Sequence, residues 1–175
     1  MRRADLEHLI RAAASIADDD ELIVVGSQSI LGQFPNPPDE LCVSVEADLY
    51  PKHHPERADL IDGAIGEGST FHETYGYYAQ GVGETTAKLP RGWELRLVPV
   101  FGPATRGATG WCLEVHDLVV SKLVAGREKD LHFASVAARE GLVHSLELLE
   151  RLASMTLDEA VRARVEARIR ALPCA

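Results

Sequence analysis

Glu46 and Asp48 stand one residue apart in the segment Ser44-Val45-Glu46-Ala47-Asp48-Leu49-Tyr50. On an extended strand, residues i and i+2 share a face at about 6 to 7 Å. The spacing therefore predicts two carboxylates directed one way, with Val43, Val45, Ala47 and Leu49 turned to a core. Two like charges at that separation repel by about 2.5 kcal/mol at an effective dielectric of about 20. A bound divalent cation turns that repulsion into attraction, so metal binding is the chemistry the pair offers. The ordinary alternative is an amphipathic strand that shows polar side chains to water.

Upstream, the apolar run Leu22-Ile23-Val24-Val25 closes on Gly26-Ser27. This reads as a strand followed by a tight turn into a short helix over residues 27–33. Unpaired amides at such a turn suit a phosphate. Glycine lets the anion approach the backbone, and the Ser27 hydroxyl either caps the helix or contacts a phosphate oxygen.

Three further groups have chemistry to offer. Glu94 shares one face of a strand expected over residues 93–101 with Arg96, so it is either a third metal-site acid or the partner of Arg96. Lys122 falls on the apolar face of a helix expected over residues 116–126. A lysine there needs a partner, a phosphate or a path to water. Gly126 reads as that helix's stop and Asp130 as the cap of the next one, with Arg127 and Lys129 forming a small basic patch between them. His53-His54 and His116 read as surface or structural residues. Cys42, Cys112 and Cys174 have no metal-binding spacing and read as packing residues of a reducing compartment.

The elements that must position these groups begin with a helix (5–17), a strand (22–26) and the short helix. A Pro-rich loop, the acid strand (43–50) and a helix (56–65) follow. A Gly- and Tyr-rich stretch then contains a short strand near Ser69 to His72, and after it come strands over 93–101 and 111–115. The remainder reads as helices over 116–126, 130–140, 143–152 and 157–171, the last opened by a capping box at Thr156-Leu157-Asp158-Glu159. A mixed sheet with flanking helices and a C-terminal helical half is an α+β fold with α/β-like character.

Composition sets the outer limits. With 175 residues and a formal net charge of -9, the chain is long enough for one well-packed domain and lacks the positive face of a broad nucleic-acid binder. Arg2-Arg3 leads into an amphipathic pattern rather than an unbroken apolar stretch, so neither a secretory leader nor a membrane span is expected, and the location expected is cytoplasmic.

Gly26-Ser27 followed by Glu46-x-Asp48 resembles the nucleotidyltransferase-fold signature. The stretch Lys122-Leu-Val-Ala-Gly-Arg127-Glu-Lys129-Asp130 is similar to the lysine and Arg-x-Lys-Asp elements of AbiEii-like nucleotidyltransferases, a group that includes toxins of toxin-antitoxin pairs. The likeness spans about residues 20–135. It differs from the usual pattern in carrying Glu at the first acid and in the 18 residues between Ser27 and Glu46.

What the resemblance implies is a nucleotidyltransferase-like core over residues 1–115, with residues 116–175 as the helical portion of the same domain. It further implies Mg2+ (or Mn2+) on Glu46, Asp48 and Glu94, and a nucleoside triphosphate on Gly26, Ser27, Lys122, Arg127 and Lys129. Asp130 would orient Lys122 or act as a base. The implied acceptor is a tRNA end or a protein hydroxyl, and the implied partner an antitoxin. A nucleotide-binding regulatory module without turnover and a small-molecule, antibiotic-type nucleotidyltransferase remain open as alternatives.

Overall fold

The computed structural model describes residues 1–173, so Cys174 lies outside the described residues. These residues form two compact units. The first comprises Met1–Ala87 and Leu97–Leu113, and the second comprises Lys88–Arg96 and the chain from Glu114 onward. Among the described residues, no helix is long and apolar enough to cross a membrane.

All five described strands belong to the first unit: β1 (Glu21–Val25), β2 (Glu46–Pro51), β3 (Tyr78–Gly81), β4 (Val98–Val100) and β5 (Thr109–Cys112). Their order across the sheet is β3-β2-β1-β5-β4. β1 runs antiparallel to β2 and parallel to β5, β2 runs parallel to β3, and β4 is antiparallel to β5. The sheet is thus mixed, and with its helices the fold is α+β.

The centre of the sheet is apolar because β1 is: Leu22, Ile23, Val24 and Val25 are all buried. Helix α1 (Arg3–Ala17) packs its buried stripe of Leu6, Leu9, Ile10 and Ala13 on this layer, as the 3.6-residue spacing of those side chains requires. The first unit also holds α2 (Ile30–Gln33), α3 (Ala58–Ile65) and α4 (Thr70–Tyr75). The second unit is helical, with α5 (Val115–Ala125), α6 (Glu128–Arg139), α7 (Ser145–Ala153) and α8 (Glu159–Arg170).

Several expectations are corrected. The acid strand begins at Glu46 rather than residue 43, and Val43 and Val45 are 81% and 45% exposed. The chain amine of Met1 binds the carbonyls of Cys42 and Ser44 and so holds that segment as a loop. Ala47 and Leu49 are fully buried, as expected. The segment near Ser69 to His72 is helical, because the Ser69 hydroxyl accepts the His72 amide at 3.1 Å and caps α4.

The strand expected over 93–101 divides into a 3-10 turn, Trp93–Arg96, and the short β4. β4 lies at the sheet edge, where Pro99 is tolerated. At α8 the cap is Asp158, with no side-chain bond to the helix amides, so the capping box at Thr156 does not form. Instead Arg162 donates to the carbonyls of Leu152 and Met155 and holds the α7–α8 link.

Candidate functional site

In the first unit, the antiparallel register sets Val25, the last residue of β1, opposite Asp48. The next residue, Gly26, turns the chain with φ 68° and ψ -169°, a conformation open essentially to glycine alone. The absent side chain matters for a second reason. A Cβ built at Gly26 would lie 2.0 Å from Asp48 Oδ2, so the carboxylate rests directly against the bend.

Glu46 and Asp48 alternate with buried Ala47 and Leu49 and are both half-buried on the opposite face of β2. Glu46 pairs in register with Tyr78 of β3. Burial, and after it the negative charge of Glu46, raise the Tyr78 hydroxyl above its ordinary pKa.

The expected helix over residues 27–33 is a 3-10 turn, Ser27–Ser29, followed by the single turn of α2. Its closing contacts run from the Ser29 amide and hydroxyl to the Gly26 carbonyl, at 3.3 and 2.8 Å. Neither short helix is capped by a side chain. Gln28, between the two serines, is 1% exposed, and neither atom of its side-chain amide has a hydrogen-bond partner among the described residues. Sequence reasoning passed over Gln28, because nothing in a lone glutamine signals that its amide will be orphaned.

Glu94, Lys122, Arg127, Lys129 and Asp130 belong to the second unit. Glu94 sits exposed in the 3-10 turn, not on a strand face. Arg96 does not pair with it: its guanidinium binds Asp117 at 2.8 and 3.0 Å. Lys122 is 8% exposed, and its amine does not snorkel to water. Its Nζ lies 3.1 Å from Asp130 Oδ1 and 4.7 Å from the centre of the Phe133 ring.

Asp130 is not the cap of α6, a position held by Arg127. It is fully buried in the first turn of that helix, where Arg127 Nε reaches its Oδ2 at 2.6 Å. Burial alone would raise the Asp130 carboxyl, but the hydrogen bond from Arg127 and the charge of Lys122 outweigh it and hold it below the ordinary carboxylate range. Gly126 ends α5 in the left-handed conformation, as expected. Lys129 is exposed.

A group that sequence reasoning missed surrounds the start of α5. Ligating atoms of Glu114, His116 and Glu147 lie within 4.8 Å of one another. The Glu114 carboxylate caps α5 by accepting the amides of His116 and Asp117 and also lies 2.8 Å from His116 Nδ1. The His144 amide donates to His116 Nε2 at 3.1 Å, which leaves Nδ1 as the protonated nitrogen. Glu147 is bound by Arg151 at 2.7 Å. Glu114 and His116 are thus engaged by hydrogen bonds at the start of α5, while Glu147 Oε2 only approaches His116 Nε2, at 3.4 Å. The adjacency of Glu114 and His116 could be read from the sequence, but the arrival of Glu147 from α7 could not.

A mixed sheet whose glycine bend is lined by an acid from the neighbouring strand is the architecture expected of a nucleotidyltransferase. The chain matches, over residues 4–173, the family described as "Nucleotidyltransferase of unknown function (DUF6036)", and it belongs to that family. No curated protein and no solved structure matches it.

Proposed function

We propose that this protein transfers a nucleotidyl group from a nucleoside triphosphate to a hydroxyl acceptor, with Glu46 and Asp48 holding Mg2+ or Mn2+ beside a triphosphate seated on the Gly26-Ser27 bend. The observation that carries this reading is the Asp48 carboxylate lying where a side chain at position 26 would be. The donor set fits a hard divalent cation, since both side chains offer carboxylate oxygens from one strand face. The orphaned amide of Gln28 in the same bend has the donor and acceptor capacity that a bound nucleotide or its hydration would satisfy.

When bound, the cation neutralises phosphate charge and acidifies the acceptor hydroxyl. In the transfer, the acceptor oxygen bonds to the α-phosphorus as the bond to the α,β-bridging oxygen breaks. Pyrophosphate departs, and the hydroxyl proton passes to a carboxylate, for which Glu94 is the proposed acceptor. Lys122, Arg127 and Lys129 are proposed to counter the phosphate charge. The 3.1 Å contact between Lys122 and Asp130 supports an orienting role for Asp130.

Residues 1–115 act on this reading as the catalytic core and residues 116–175 as its helical portion. The acceptor is a tRNA end or a protein hydroxyl, and the activity is held in check by an antitoxin. The net charge of -9 favours a small cationic acceptor as a second reading. The reaction belongs in the cytoplasm, where triphosphates are abundant and a buried free thiol such as Cys112 persists.

Incubation with each α-labelled triphosphate and Mg2+, with and without total tRNA, tests the proposal. Label on tRNA, on protein or on an added aminoglycoside is the expected result and names the acceptor. Triphosphate binding without transfer in any arm would reduce the protein to a binding module, and absence of binding would overturn the reading.

A further inference from the structure

The second unit contains a cavity of about 520 Å3 between the loop from Lys88 to Glu94 and the α7–α8 link, Ser154 to Leu157. Nothing in the proposed transfer uses it, apart from Glu94 at its edge. Pro90 and Met155, both buried, contribute apolar lining, Trp93 is half-buried, and Lys88, Arg91 and Glu94 are exposed. The size suits a small organic ligand.

The lining specifies what kind. Most arginines of this acidic chain are committed to carboxylates or carbonyls: Arg96 to Asp117, Arg127 to Asp130, Arg162 to Leu152 and Met155, Arg168 to Leu123. Among the described residues, the side chains of Lys88, Arg91 and Trp93 make no hydrogen bond or ion pair, although all three border one cavity. Two uncommitted cations recognise an anion, and a guanidinium suits phosphate in particular. An indole beside them offers a stacking face for a planar ring. The Glu94 carboxylate accepts from a ring amine or a ribose hydroxyl. Phosphate, sugar and base together satisfy all of these groups, whereas a simple anion leaves the indole and the carboxylate unused.

We propose that this cavity binds a nucleoside monophosphate unit, free or at the end of a polynucleotide, with its phosphate on Lys88 and Arg91 and its base against Trp93. Apart from Glu94, which the proposed transfer also uses, the site shares no residue with that of the triphosphate, and its phosphate and base contacts do not depend on a metal.

Calorimetric titration with adenosine 5′-monophosphate in EDTA tests it, with the other three ribonucleoside monophosphates run beside it. Saturable binding is expected for at least one of them, about tenfold weaker for Arg91→Ala, Lys88→Ala or Trp93→Ala and for the nucleoside lacking its phosphate. Circular dichroism of each variant establishes that it is folded. Asp48→Asn should bind the monophosphate like the parent, and Arg91→Ala should keep Mg2+-dependent triphosphate binding, so failure here and failure of the transferase reading give different results. A short oligoribonucleotide binding more tightly than the mononucleotide would identify a chain end as the occupant, and equal binding the free nucleotide; either supports the site. No saturable binding, binding indifferent to Arg91→Ala, or binding abolished by Asp48→Asn would overturn it.

Discussion

The Asp48 carboxylate occupies the space that a side chain at position 26 would need: a methyl group on Gly26 would meet Asp48 Oδ2 at 2.0 Å. The contact follows from register, since Val25 faces Asp48 across the ladder and the chain turns immediately afterward. Gly26→Ala therefore combines a backbone penalty of about 1 to 3 kcal/mol with displacement of Asp48. Chemical denaturation should show the stability loss, and triphosphate binding should fall by more than the loss of folded protein explains.

Asp48→Asn keeps the size of the side chain and removes its charge on the half-buried face of β2. The variant should fold like the parent, with a thermal midpoint within about 3 °C, and should lose Mg2+-dependent triphosphate binding and turnover. Turnover at the parent rate would remove Asp48 from the site.

Gln28 separates stability from binding. Its buried amide has no protein partner, and leaving such a group unsatisfied costs about 1 to 3 kcal/mol. Gln28→Met, of similar shape and without the amide, should raise the thermal midpoint of the free protein and weaken triphosphate binding. A midpoint that falls would show that the amide is satisfied in the folded protein.

The Lys122–Asp130–Arg127 group predicts an acid-side transition. The Asp130 carboxyl is depressed in the folded state, so the folded protein binds fewer protons there than the unfolded chain. Its stabilisation is thus present above the ordinary carboxylate range and is lost as pH falls through the folded pKa. Asp117 acts in the opposite sense: burial raises its carboxyl in spite of Arg96 and Arg151, so its contribution grows as pH falls. Asp130→Asn should flatten the acid limb of a stability-pH curve and, by leaving Lys122 buried without its carboxylate, lower stability near neutrality by about 3 to 5 kcal/mol.

How far the sequence could be read depended on the range of the determining interactions. The alternation of Glu46, Ala47, Asp48 and Leu49 and the apolar run into Gly26 are local patterns, and both took the expected form. Lys122 on an apolar helical face signalled a need for a partner, and Asp130 supplies it. Glu94 was misplaced because Trp93 to Val98 alternates like a strand, while Arg96 is drawn to Asp117, 21 residues away. Ser69 to His72 was misread because a serine cap outweighs strand-like composition over so few residues. The contact of Glu147 with His116 and the orphaned amide of Gln28 arise from tertiary packing and leave no mark on neighbouring residues.

The central claim is most directly tested by calorimetric titration of Mg2+-triphosphate into the parent protein, Glu46→Gln and Asp48→Asn, with all three verified as folded. Saturable, Mg2+-dependent binding by the parent, abolished in Asp48→Asn and weakened by at least about tenfold in Glu46→Gln, is the predicted result. Equal binding by all three, or binding by the parent that is indifferent to Mg2+, would contradict it.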